Sequence, residues 1–344
     1  MVTPPSAEVS TSYLDLSHLT FDQLDLERPQ LCQRVRQHID SLSQWFVNRD
    51  EVMEVATICA LLGEPLLLFG PPGTAKSQLC TRFAESLHLS ASERFSYLLT
   101  PFTEPSELFG PVDLDALKLG RFVRKNKGMI TDVKVVFIDE IFKANSAILN
   151  ALLSLLNEGC YYEEGQAKPS ELQILFAAAN ELPTDPTLDA LSDRFILKVP
   201  VQNTHHLYWD ELLSRGLEAE GHATEKLAPW KNGPAQLIDL LKLRRYLQLS
   251  FIIEAQDPEI RDHAMPPQVM MIWRRIMSGL ELDLGVYISD RKVIRIYKLL
   301  RARALIHGRS SVQLEDLKLL CYLAQRPGEH EHIAERVERL IALG

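Results

Sequence analysis

The chain has 344 residues, 46% apolar and 24% charged, with a formal net charge of −9. One large or two medium globular domains with a buried core are expected from such material. The acidic balance argues against bulk nucleic-acid binding, which rests on neutralising phosphates with Lys and Arg. Five scattered cysteines (Cys32, Cys59, Cys80, Cys160, Cys321) show neither zinc spacing nor a disulfide framework. The beginning lacks the basic start and apolar run of a secretory signal, and no apolar stretch is long enough for a membrane span. A reducing, cytoplasmic setting is the expectation.

Residues 1–25, rich in Ser, Thr and Pro, read as a poorly ordered tail. A helical pattern follows over 28–46, with Leu31, Val35, His38, Ile39 and Leu42 at three-and-four spacing. A second helix spans 49–62 and stops at Gly63. Residues 65–69 are wholly apolar and run into a glycine-rich turn, the pattern of a buried parallel strand. Four similar runs lie at 95–100, 133–138, 172–179 and 195–200, with helix-like segments such as 77–87 and 146–156 between them. That alternation predicts an α/β fold with a parallel sheet covered on both faces. Beyond Pro200 the spacing is helical throughout, over 205–214, 235–254, 267–280, 289–307, 313–325 and 331–343. An all-helical second domain is expected from residue 202.

The strongest chemical signal is Gly70-Pro71-Pro72-Gly73-Thr74-Ala75-Lys76-Ser77, with Gln78 next, set between a strand and a helix. Backbone N–H groups of such a loop wrap phosphates, and the helix presents its positive dipole end. Lys76 is placed to reach the β and γ phosphates of ATP and Ser77 to ligate Mg²⁺. Ala75 stands where glycine is usual, and its methyl is tolerable if the backbone stays in an ordinary L-residue region. The second signal is Val135-Val136-Phe137-Ile138-Asp139-Glu140, a buried strand delivering two carboxylates to the sheet edge. Asp139 then holds Mg²⁺ through its waters, and Glu140 serves as general base toward the attacking water. Asn180 ends the next apolar run and Arg194 precedes the last. Taken alone, the first is a turn residue and the second a surface ion pair.

These segments together resemble the MoxR family of AAA+ ATPases, most closely its RavA-like branch. LLLFGPPGTAKS, PFTEPSELFGPV, VVFIDEIFKANSAILNALLSLLNE, AAANELP, ALSDRF and YISDRK carry the resemblance, across residues 28–325. An alanine before the P-loop lysine is a habit of that family. The resemblance implies a P-loop αβα core of five parallel strands over 26–201, an all-helical lid over 202–344, and a ring, usually a hexamer, with ATP between subunits. Asn180 then matches sensor 1, Arg194 the arginine finger, and Arg291 the sensor 2 that touches nucleotide when the lid closes. Arg49 and Asp50 fall at the adenine end. An insert over 102–131 is expected to form a hairpin about Lys118-Leu119-Gly120, and a second hairpin spans 159–172.

By the same resemblance, hydrolysis drives chaperone-like remodelling or activation of a protein partner, often one with a von Willebrand factor A domain. RavA-like proteins often continue into partner-binding domains, whereas this sequence stops just past the lid, which leaves open whether such a module is missing or supplied by another protein. A nucleic-acid-stimulated motor is the alternative, against the acidic balance. A non-hydrolysing nucleotide-gated scaffold normally loses the base or the lysine, and Glu140 and Lys76 are both present. His205-His206 and His330-Glu331-His332 read as polar surface without a metal. Trp209, Trp230 and Trp273 read as lid core or ring interface, and Arg244-Arg245 and Arg274-Arg275 as solvated helix faces.

Overall fold

A computed structural model describes residues 16–163, 166–224 and 228–343. Helix α1 (Phe21–Ser43) starts earlier than the composition suggests. Thr20 accepts from the Gln23 backbone N–H, and the Gln23 side chain accepts from Thr20 N–H, a capping box that orders residues read as tail. Residues 1–15 of that expected tail lie outside the described residues. Helix α2 (Asp50–Leu62) ends on Gly63 at φ 72°, the left-handed stop that glycine adopts freely.

The αβα unit follows as β1 (Leu66–Phe69), α3 (Lys76–Ser86), β2 (Arg94–Leu98), α4 (Pro105–Phe109), α5 (Leu114–Lys118), β3 (Val135–Asp139) and α6 (Ser146–Glu158). It continues through β4 (Cys160–Glu163), β5 (Gln166–Pro169), β6 (Ile174–Ala179), α7 (Asp189–Ser192) and β7 (Leu197–Pro200). Five strands form one parallel sheet in the order β2-β3-β6-β1-β7. Every residue of β6 is buried, as expected for a strand covered on both faces. Strands β4 and β5 make the second expected hairpin; residues 164–165 at its turn lie outside the described residues. The first expected hairpin is different. Only Val112 and Arg124 bridge, because Asp113 caps the helix-forming run Leu114–Lys118 by accepting from the Asp115 and Ala116 N–H groups.

Helices α8 (Trp209–Thr224), α9 (Leu237–Gln256), α10 (Pro258–Ala264), α11 (Pro267–Leu284) and α12 (Asp290–Ile306) come next. A 3₁₀ segment, Leu314–Tyr322, and α13 (Glu329–Ala342) complete the order. Helix α9 is stitched to α1: Arg34 meets Asp239 at 2.6 Å, Lys242 meets Glu27 at 2.6 Å, and Phe21 stacks on Tyr246. Arg244, expected on a solvated face, instead turns inward. It donates to the Ala60 and Leu61 carbonyls that end α2 and to Gln173 ahead of β6. A guanidinium at a helix C-terminus satisfies carbonyls that lack an intrahelical partner. Trp273 is buried in the lid and Trp230 covers Arg82, whereas Trp209 is exposed.

Candidate nucleotide site

Parallel strands bring their C-terminal ends to one edge, so Gly70 after β1, Asp139 and Glu140 at the end of β3, and Asn180 after β6 assemble from distant sequence. The Gly70 N–H donates to Ala179 O at 3.2 Å, which ties the loop to the strand bearing Asn180. Only glycine fits at 70: its φ is +149°, and a Cβ there lies 2.2 Å from Val201 O. Ala75 adopts φ 65°, ψ 21°, outside the ordinary L-residue region that the sequence reading required of it. Closure of the loop onto α3 imposes that angle, at a cost of roughly 1–2 kcal/mol for an L-residue. Lys76 opens α3 almost fully buried, and its ammonium donates to Gly70 O at 2.7 Å and Pro71 O at 2.9 Å. Burial lowers its pKa, while Asp139 and Glu140 act in the opposite sense.

Ser77 Oγ donates to Asp139 Oδ2 at 2.9 Å, placing a hydroxyl beside a carboxylate. Mg²⁺ keeps several waters and takes one or two carboxylates, so this oxygen pair fits it. Among the described residues no group of three His, Cys, Asp or Glu forms a metal cage. Glu140 sits at φ 55°, a left-handed angle rare outside glycine, so its backbone is strained. Asn180 Nδ2 donates to Glu140 Oε1 at 2.6 Å, and Lys143 lies 3.5 Å from the same carboxylate. Asn180 is therefore no idle turn residue: it holds the carboxylate expected to act as base.

Two cavities flank Arg49. The first, of about 170 Å³, is lined by Gly73, Thr74, Ala75 and Gln78 of the loop, by Arg49, and by Leu212, Arg215, Gly216 and Ala219 of α8. Arg215 fixes α8 there by donating to Phe46 O at 2.5 Å. The second, of about 470 Å³, includes Arg49, Asp50, Val199, Pro200, Asn203, Tyr322 and His330. Arg49 is partly buried, donates to the Asn48 and Gln202 carbonyls and has no carboxylate partner among the described residues, and burial lowers its pKa. His330, read as polar surface, in fact stacks on Tyr322 at 5.8 Å and meets Phe69 edge-on. Nothing in its spacing signalled this, since the chain comes back to the loop through the lid.

Arg194 and Arg291 occupy a different place. Leu197 pairs with Leu66 and Pro200 with Phe69, so Arg194 precedes β7 at the edge away from the P-loop. Its Nε is buried with no hydrogen-bond partner among the described residues, and Arg291 and Arg295 add positive charge around it. Arg291, in the first turn of α12, thus stands by Arg194 in this arrangement of the lid. Two lysines escaped the sequence reading. Lys198 (0% exposed) donates to Phe195 O at 2.9 Å, and Lys292 (1% exposed) lies 3.7 Å from Asp193.

A glycine loop entering a helix, an acid pair two strands away, a polar amide on the strand between them and a helical lid define a P-loop protein of the AAA+ class. Residues 33–241 match the family model described as the MoxR domain in the MoxR–vWA–β-propeller ternary systems, and residues 268–337 match an AAA lid domain. Two uncharacterized proteins of Methanocaldococcus jannaschii are each 32% identical over 83% of this chain, covering 69% and 68% of their own lengths. A structural protein of Acidianus two-tailed virus is 30% identical over 49% of this chain and 28% of its own. In fold, the chain is similar to a crystal structure of a candidate ATPase from Cytophaga hutchinsonii (TM-score 0.68, 18% identity, 93% of this chain and 97% of that one). The chain belongs to the MoxR family of AAA+ ATPases. Among the described residues no helix is long and apolar enough to cross a membrane.

Proposed function

We propose that the chain hydrolyses ATP to ADP and phosphate within a ring of identical copies, a hexamer by family habit, and that this drives remodelling or activation of a protein partner. Backbone N–H groups of Gly73, Thr74 and Ala75 and the start of α3 cradle the phosphates, and Lys76 leaves the loop carbonyls to meet them. Arg49, Asp50 and Gln78 line the adenine end. Mg²⁺, held by Ser77 and Asp139, would neutralise charge on the β and γ phosphates. Glu140 takes a proton from water as the water oxygen bonds to the γ phosphorus and the bond to the bridging oxygen breaks. Asn180 orients that carboxylate and the water. Arg194 stabilises transition-state charge on the neighbour's ATP, with Arg291 beside it as sensor 2.

One observation carries the reading: Arg194, with its buried unpartnered Nε, sits on the sheet edge away from its own phosphate loop. An anion brought by a second copy satisfies it. The MoxR–vWA family description supports a partner with a von Willebrand factor A domain. Placement in the RavA-like branch rests on the shared sequence segments, and a cytoplasmic setting on the free, mostly buried cysteines. Residues 26–201 and 202–344 serve as core and lid in this reading, although α9 packs with α1. A nucleic-acid-stimulated motor is disfavoured by the net charge of −9, and stimulation of hydrolysis by DNA or RNA would reverse that preference.

The test mixes two inactive variants. Arg194→Ala binds ATP but hydrolyses it poorly, since an arginine finger is worth roughly 10³–10⁵ in rate. Lys76→Ala has an empty pocket and an intact finger. Rings containing both recover activity at shared interfaces. No recovery despite demonstrated subunit exchange removes the trans role of Arg194.

A further inference from the structure

Four residues link α7 to β7, and the first three, Asp193, Arg194 and Phe195, are each gripped by a basic side chain. Lys292 Nζ lies 3.7 Å from Asp193 Oδ1, Arg295 Nη2 donates to Arg194 O at 3.0 Å, and Lys198 Nζ donates to Phe195 O at 2.9 Å. Lys292 and Arg295 are on lid helix α12, one residue and one turn beyond Arg291. Arg295 is braced in turn by Glu64, just ahead of β1. Lys198 is embedded in β7 beneath the segment.

Lysine is almost never fully buried unless paired, because its ammonium loses hydration. Here two buried lysines adjoin one three-residue segment. Lys198 is held by the Phe195 carbonyl, while Lys292 pairs with Asp193 at 3.7 Å and donates to Tyr287 O at 3.4 Å; methionine would fill the same space at either position. The polar head must therefore do something that packing alone does not require. What both heads share is the backbone and flank of Arg194.

We infer that Lys292 and Lys198 are positioning residues for the arginine finger, holding its segment so that the attitude of lid helix α12 sets where Arg194 points. The inference rests on reading Arg194 as a finger. A lid displacement moves Lys292 and Arg295 together and pulls on the segment at two of its three residues, while Lys198 anchors the third to the sheet. Coupling of lid position to a neighbour's hydrolysis then needs no contact between the lid and that neighbour.

The experiment compares Lys292→Met, Lys292→Arg, Asp193→Asn and Arg194→Ala in the full chain. It measures kcat, KM for ATP, ATP affinity by calorimetry, and melting temperature. Lys292→Met should lose about 10²-fold in kcat, the cost of a misplacement of about 1 Å, with ATP affinity and KM near wild type. Lys292→Arg should restore most of the rate, and Lys76→Ala subunits should rescue Lys292→Met rings in trans. Asp193→Asn weakens the same grip from its exposed side, so it gives the answer if Lys292→Met does not fold. A wild-type kcat in Lys292→Met, or in Asp193→Asn when the former is unfolded, overturns the inference while Arg194→Ala remains impaired. Loss of ATP affinity in step with kcat also overturns it, by marking a general structural role. Full activity in Arg194→Ala instead removes the finger reading itself.

Discussion

Lys198 makes a sharp thermodynamic prediction. Burial, with Lys292 beside it, pulls its ammonium from an ordinary 10.5 down to about 7, and Asp193 and Glu329 offset only part of this. Between those two values the unfolded chain binds a proton that the folded chain has released. Stability therefore rises with pH across that window, at about 1.4 kcal/mol per pH unit. From about pH 7.5 to about pH 9.5 the gain is on the order of 2–3 kcal/mol from this group. Lys198→Met cannot titrate and keeps the apolar volume. It loses the 2.9 Å bond to Phe195 O, worth about 1 kcal/mol at any pH. Urea unfolding of both proteins without nucleotide, at several pH values across this range, measures the difference. The variant should be favoured most near neutrality and should lose that advantage as pH rises, by about the same 2–3 kcal/mol. Parallel stability profiles for wild type and Lys198→Met would refute the argument.

Glu140→Gln keeps the shape of the base but cannot accept a proton, so hydrolysis should fall by about 10²–10⁴-fold while ATP still binds. Gel filtration with ATP should show that variant accumulating as the assembled ring; an unchanged rate removes Glu140 from the mechanism. Ala75→Gly relieves the left-handed strain at φ 65° and should stabilise the chain by about 1 kcal/mol with ATP affinity retained. A lower melting temperature would show that the methyl contributes contacts outweighing its strain.

Much of the core was legible because its signals are local. Apolar runs between helical segments specify buried parallel strands, and parallel strands necessarily bring residues 70, 139, 140 and 180 to one edge. Ala75 was legible as a departure from glycine, but its angle was not, since loop closure sets φ and the residue type only responds. The start of α1 was misread because Ser, Thr and Pro dominate the composition before it. The capping pair Thr20 and Gln23 was the overlooked signal. Arg244 reads as a surface residue because helical spacing gives its face but not what that face meets.

Lys198, Lys292 and His330 were illegible for a deeper reason. Each lies at the joint between core and lid: Lys292 reaches Asp193 from 99 positions away and Lys198 feels the Lys292 charge from the lid, and no short motif encodes such a joint. A lysine inside the run Phe195–Pro200 looks like ordinary alternation of a half-exposed strand, yet β7 is covered on both faces and the ammonium has nowhere to snorkel. Its proton then depends on that burial first and on Lys292, Asp193, Glu329 and Arg295 after it. The same burial that conceals Lys198 in the sequence therefore makes it responsive to Lys292 on the lid. Lys292→Met removes one of the charges that push its proton off, so Lys198 should titrate at a higher pH in that variant; urea unfolding should then show a smaller gain of stability with pH, and an unchanged gain would refute the argument.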